Sequence, residues 1–263
     1  FASENDSVTL QDFPVTQKNW ADPGKIQKWN RIRQLRRVVP GDVYMADDMT
    51  GERLKEMDEA GIDVQVLSQS GSGTQNMDPK TAAELAPGVN DRVAETVRQH
   101  PDRFQAFAML PTPDPKAAAD ELERCVTKHG FKGAMIHGLT HGEFIDGPKY
   151  WPIFERAAAL DVPIYLHPAA PNAALMDATV QDYVKDYPGL SSAAFGFTME
   201  TSTQALRLVL SGVFDAYPNL KIVLGHLGEG LPFLIWRIHH SLSRPGNKPL
   251  AFSGRLTERA DRR

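Results

Sequence analysis

Three histidines stand at the ends of short apolar runs. His226 follows KIVLG and leads into LGEG, His167 follows VPIYL and precedes Pro168, and His137 follows GAMI and precedes Gly138. A strand that delivers an ionisable side chain at its C-terminal end, just before a Gly- or Pro-bearing turn, places catalytic groups in α/β enzymes. An imidazole held there can bind a divalent metal through one nitrogen while an acceptor fixes the other. It can equally carry a proton to or from a substrate. For His167 two readings stand side by side, a metal ligand and a half-buried histidine bonded to backbone. In GHLGEG, flanking glycines allow a tight turn and close approach of a ligand. There Glu229, three residues after His226, could orient the imidazole for acid–base work or simply cap the helix that begins near Leu231. His137 is a candidate substrate contact, a further ligand or packing filler. Arg237, farther along the same segment, offers a bidentate fork for a carboxylate, or is a surface cation in an ion pair.

Other polar and aromatic residues read more plainly. His100, His129, His141, His239 and His240 fall at helix ends or in loops and read as surface residues. Glu200-Thr201-Ser202 reads as a cap before a helix. Phe195, Phe197 and Trp236 could line an apolar pocket, with core packing the plainer assignment.

The elements that must hold these groups alternate regularly. After a polar, turn-rich stretch over 1–50, the pattern predicts helices over 52–60, 79–100, 115–129, 149–160 and 202–217. Strands are predicted over 63–68, 104–110, 133–137, 162–167 and 221–226, followed by one more helix and a basic segment over 243–263. The helices repeat at 3.6 residues, and the strands are continuous apolar runs of the kind a parallel sheet buries on both faces. Repeated units of this type give an α/β fold, a barrel or a doubly wound sheet, in one domain over 1–263. Only five strands are found where a closed barrel needs eight. No GxGxxG follows the first strand, and Gly71-Ser72-Gly73 lacks the remaining spacing, which weakens a nucleotide-binding reading.

Composition narrows the field. The net charge of −4 argues against nucleic acid or an anionic membrane as the main partner. The arginine clusters over 31–37 and 255–263 read as solvated surface. A single cysteine, Cys125, excludes an internal disulfide or a cysteine metal cluster, and it lies where a helix would bury it. No apolar run is long enough to span a bilayer, and FASENDSV has no signal-peptide pattern, so a reducing cytoplasmic setting is expected.

Several blocks in order then resemble a known family. PDRFQAFAMLPTPDPKAAADELERCV, GFKGAMIHG, DVPIYLHP, FGFTMET with ALRLVLSGVFDAYPNLK, and IVLGHLGEGLPFLIWRI are similar to the amidohydrolase-2 group, over about residues 51–240. Within it, the likeness is to metal-dependent decarboxylases of hydroxylated benzoic acids. The resemblance implies a (β/α)8 TIM barrel with one divalent ion, zinc or manganese, and a homodimer or homotetramer. It implies a metal ligand at His167, proton transfer by His226 with Glu229, substrate binding by Arg237, and a substrate contact at His137, where many relatives carry Asn. It also places the first-strand glutamate motif upstream of Phe1 and finds no match to the last-strand Ser-x-Asp motif. Strands 1, 7 and 8 of the barrel are thus the ones expected to be missing. The expected activity is non-oxidative decarboxylation of an aromatic hydroxy acid. A metal-dependent hydrolase or hydratase is the alternative, and a catalytically inactive fragment or paralogue is a third. A barrel lacking three strands is further expected to aggregate or to need partner subunits.

Overall fold

The computed structural model describes residues 51–69, 71 and 73–247. The turn-rich stretch over 1–50, both arginine clusters and most of the basic segment over 243–263 lie outside the described residues.

Helix α1 (Glu52–Ala60) ends at Gly61, whose φ of 70° lets Gly61 and Ile62 bond back to Asp58 and Met57. Strand β1 (Gln65–Leu67) and a 3-10 turn (Gly73–Asn76) lead to α2 (Pro79–Gln99). Asp78 caps α2 on Thr81 N at 3.0 Å with proline at the first helical position. Next come β2 (Phe104–Ala106), β3 (Ala108–Met109) and α3 (Pro115–His129), the last capped by Asp114 on Ala117 N. Then follow β4 (Ala134–His137), α4 (Trp151–Ala159), β5 (Pro163–His167), α5 (Ala173–Thr179) and α6 (Gln181–Val184). The last described elements are α7 (Gly196–Ser211), α8 (Val213–Ala216), β6 (Lys221–Leu224) and α9 (Leu231–Leu242).

All strand pairs are parallel, β1 with β2 and then β3, β4, β5 and β6 side by side. Phe107 separates β2 from β3 yet joins the two sheets: its N–H bonds Leu67 O at 2.8 Å, while Ala108 N bonds Gly133 O on the opposite side at 2.8 Å. The strand expected over 104–110 is therefore one crest that serves two neighbours. Phe104, Ile136, Ile164 and Leu166 of the strands and Leu122, Ile153, Phe154 and Leu208 of the helices form the core between sheet and helices. Each such side chain, fully buried, contributes about 1.5–3 kcal/mol. Among the described residues the sheet is open, with β1 and β6 at its edges.

Three expectations about boundaries are corrected. The helix expected over 202–217 begins at Gly196 and breaks at Gly212, whose φ of 89° no side chain tolerates well, so Glu200, Thr201 and Ser202 lie inside α7 and cap nothing. The strand expected over 221–226 ends at Leu224, which leaves His226 in a turn. The helix expected from 149 starts at Trp151, after a 3-10 turn over Pro148–Tyr150.

Candidate active site

The parallel register sets three imidazoles in a row. His137 pairs with His167 across β4 and β5, and Leu166 pairs with Leu224, so the chain leaving β6 brings His226 beside them. The ring centres of His137 and His167 are 4.7 Å apart, and those of His167 and His226 5.2 Å. Phe197, from the first turn of α7, stands edge-on to both His167 and His226 at 6.4 and 5.5 Å. At the turn after β6, Gly225 is required by space: a Cβ there would lie 2.6 Å from Pro168 Cδ.

Burial controls two of the three rings. It pulls the His137 imidazole down to about 3, with its neighbour His167 adding to the effect. It pulls His167 to about 4, against the Pro168 carbonyl that accepts from His167 Nδ1 at 2.7 Å. His167 is thus neutral at ordinary pH, with its hydrogen on Nδ1 and a lone pair on Nε2. His137 Nε2 is buried and has no hydrogen-bond partner among the described residues. Its backbone is gripped by Gln75, which accepts from His137 N at 2.7 Å and donates to His137 O at 3.1 Å. Beside it lies a cavity of about 10 Å³, room for roughly one water-sized group, lined by Gln69, Gln75, Met109, Met135 and His137 among others.

The turn carrying His226 is held from α7. His226 Nδ1 faces Glu229 Oε1 at 3.1 Å, Thr198 donates to Glu229 Oε2 at 2.7 Å, and Ser202 donates to the Glu229 carbonyl at 2.9 Å. Gly230 is the residue before α9, and no side chain caps that helix, so the capping reading of Glu229 gives way to the paired one. Glu200, also on α7, is 1% exposed. It accepts from Ala169 N and Thr201 Oγ1, and Oε1 has no partner among the described residues. Burial pushes its carboxyl up to about 7, against those two hydrogen bonds.

Sequence comparison bears directly on this site. The amidohydrolase profile matches residues 19–246. The chain belongs to the amidohydrolase-2 family. It is 43% identical over 214 residues to the γ-resorcylate decarboxylase of Rhizobium radiobacter, covering 77% of this chain and 64% of that protein. Among solved structures, 2,6-dihydroxybenzoate decarboxylase from Rhizobium superposes with a TM-score of 0.69 at 39% identity, over 83% of this chain and 71% of that one. A dihydroxybenzoic acid decarboxylase from Polaromonas sp. JS666, solved with manganese and 2-nitroresorcinol, gives 0.70 at 36% identity, over 89% and 71%. The chain spans under two thirds of the length of the first curated relatives it matches. The α/β architecture is that of these barrel neighbours, not closed among the described residues.

In this member of the family, the fold brings His137, His167, His226 and Glu229 together. Arg237 is exposed on α9, without a hydrogen bond or ion pair to any of the four. No cluster of three or more metal-ligating side chains occurs among the described residues. His167 nonetheless suits a metal, because it is neutral, its tautomer is fixed by Pro168, and Nε2 carries the free lone pair.

Several readings of single residues are corrected. Phe195 and Trp236 are about half exposed rather than packed in the core. His129 is not a free surface residue but lies within 2.9 Å of Asp91 and 3.1 Å of Arg124. Cys125 is buried as expected, and burial pushes its thiol far up. Thr198, Glu200 and Gln75 were not legible as site residues. The available signal was spacing: Thr198 with Ser202, and Glu200 with Gln204, are polar pairs four apart on α7, each pair sharing one face.

Proposed function

We propose that this chain carries the β4–β6 side of the active site of a metal-dependent, non-oxidative decarboxylase acting on a hydroxylated aromatic carboxylic acid. The observation that carries the reading is the juxtaposition of a neutral, tautomer-locked His167 with a carboxylate-paired His226, ring centres 5.2 Å apart. The similarity to γ-resorcylate decarboxylases, at 42–44% identity, supports it. His167 Nε2 would be one ligand of a zinc or manganese ion, the remaining ligands coming from outside the described residues. When bound, that ion supplies positive charge to the substrate's carboxylate and adjacent phenol oxygen.

The chain's own residues then do the following. His226 keeps Nδ1 toward Glu229, so Nε2 is the atom that would first take a proton from water or a substrate hydroxyl, giving the imidazolium, and then deliver it to the ring carbon bearing the carboxylate. Protonation there breaks aromaticity. Carbon dioxide departs, and the C–C bonding pair returns to the ring. The His137 ring, kept neutral by burial, would meet a ring hydroxyl of the substrate at its unpartnered Nε2. Arg237 would hold the anionic group of the substrate. The same reading takes the protein as a homodimer or homotetramer of the cytoplasm, without nucleic-acid or membrane partners. No helix among the described residues is long and apolar enough to cross a membrane.

Incubation with dihydroxybenzoic acids and Mn²⁺ or Zn²⁺, followed by CO2 release, tests the reaction. Parallel incubation with lactones, amides and activated alkenes tests the hydrolase or hydratase alternative. His167→Ala should lose both bound metal by elemental analysis and turnover, by at least about 100-fold. Full metal content and full turnover in that variant would remove His167 from the site. Ring opening of lactones without CO2 from any acid would favour the alternative.

A further inference from the structure

We infer that Thr198 and Ser202, on one face of α7, are positioning residues that set the tautomer and direction of His226 through Glu229. The hydrogen-bond geometry is directional. Thr198 Oγ1 donates to Glu229 Oε2 at 2.7 Å, which turns Oε1 toward His226, whose Nδ1 lies 3.1 Å away. The carboxyl group therefore has one orientation in which both of its oxygens are used. Ser202 fixes the backbone beneath it, donating to the Glu229 carbonyl at 2.9 Å.

The turn needs such support. His226, Leu227 and Glu229 adopt φ values of 47°, 59° and 49°, a left-handed conformation that side chains with a Cβ disfavour. A stretch of this kind persists only when its surroundings over-determine it. Thr198 also packs on the turn, since its Cγ2 stands 3.8 Å from where a Cβ on Gly230 would be. Its neighbour Phe197 closes over the rings of His167 and His226. One helical turn thus orients the carboxyl, the backbone and the imidazole together. A neutral histidine in water prefers its hydrogen on Nε2. Glu229 reverses that preference here, and Thr198 keeps Glu229 in the place where it can do so.

The effect on turnover rests on the decarboxylase reading, whereas the effect on the tautomer does not. The full chain with nitrogen-labelled histidine is compared with Thr198→Val, Thr198→Ser and Ser202→Ala by the ring nitrogen shifts of His226 at one fixed pH. The unsubstituted chain and Thr198→Ser should show hydrogen on Nδ1. Thr198→Val, equal in shape but without the donor, should show a mixture weighted toward Nε2. Its kcat for CO2 release should fall by about 10–100-fold with KM within about threefold, and Thr198→Ser should recover most of it. An unchanged Nδ1 hydrogen and unchanged kcat in Thr198→Val would overturn the assignment. If Thr198→Val loses its near-ultraviolet circular dichroism, Thr198→Ala replaces it, and a retained tautomer there overturns the assignment equally. If no acid releases CO2 from the unsubstituted chain, the decarboxylase reading fails, while the nitrogen spectrum still decides the role of Thr198.

Discussion

Glu200 is a carboxyl at 1% exposure with one oxygen unpartnered among the described residues. Its raised value of about 7 means that the native protein keeps a proton that the unfolded chain gives up above the ordinary 4.5. Native binding of the extra proton makes stability fall as pH rises from about 4.5 to about 7, after which this contribution is level. A rise of that size is worth about 3 kcal/mol at most. Glu200→Gln keeps an acceptor for Ala169 N and imitates the neutral acid. It should abolish this slope and raise stability above pH 7, as read by thermal unfolding from pH 4.5 to 8. Equal slopes in both proteins would show that Glu200 does not hold its proton. In the sequence, GFTMETS reads as a helix start, because nothing local shows that the helix packs its polar face inward across the strand ends.

At the scale of elements, the sheet is a staircase whose exposed steps are finished by carboxamides. β1 stops at Leu67, so Met109 has no strand partner on that side. There Asn90 of α2 receives the Met109 N–H and donates to its carbonyl, each at 2.9 Å. β3 in turn stops at Met109, and Gln75 does the same for His137 on β4. Gln204 of α7 reaches the Gly138 carbonyl at 3.3 Å, next to a turn where a Cβ would meet Ala169 Cβ at 2.4 Å. Buried backbone groups left without partners are costly, so these side chains set where each strand may end. Asn90→Leu, similar in branching, strands both Met109 groups and removes a 2.7 Å bond to Glu121 Oε1. We expect it to cost about 2–4 kcal/mol in a urea titration with little change in the m-value. A loss under about 0.5 kcal/mol would mean that the strand end repairs itself. Helix and strand identities were legible from periodicity, and α1 and α3 match the sequence pattern to the residue. The start of α7 was not, since its first turns are polar for tertiary reasons.

The whole molecule presents an unfinished surface among its described residues. β1 and β6 lack a second strand neighbour, and α9 displays Phe233 at 90% exposure with Leu227 and Trp236 also exposed. Open edges beside bare apolar side chains favour association. The 263-residue chain is therefore expected to self-associate at micromolar concentration in sedimentation velocity. A monomer with a sharp, reversible, concentration-independent thermal transition would contradict this. The sequence by itself determined the α/β alternation, the parallel sheet, and the placement of His137, His167 and His226, with Glu229, at or just past strand ends. Those features are written in local periodicity and in residues a few positions apart. Only the tertiary structure decided that the ring centres of His137 and His167 lie 4.7 Å apart and those of His167 and His226 5.2 Å apart, that Arg237 is exposed on α9, and that α7 supplies Thr198, Glu200 and Ser202. Contacts of that kind join residues some thirty positions apart through strand register and helix packing, and their direction is set by burial rather than by any local pattern.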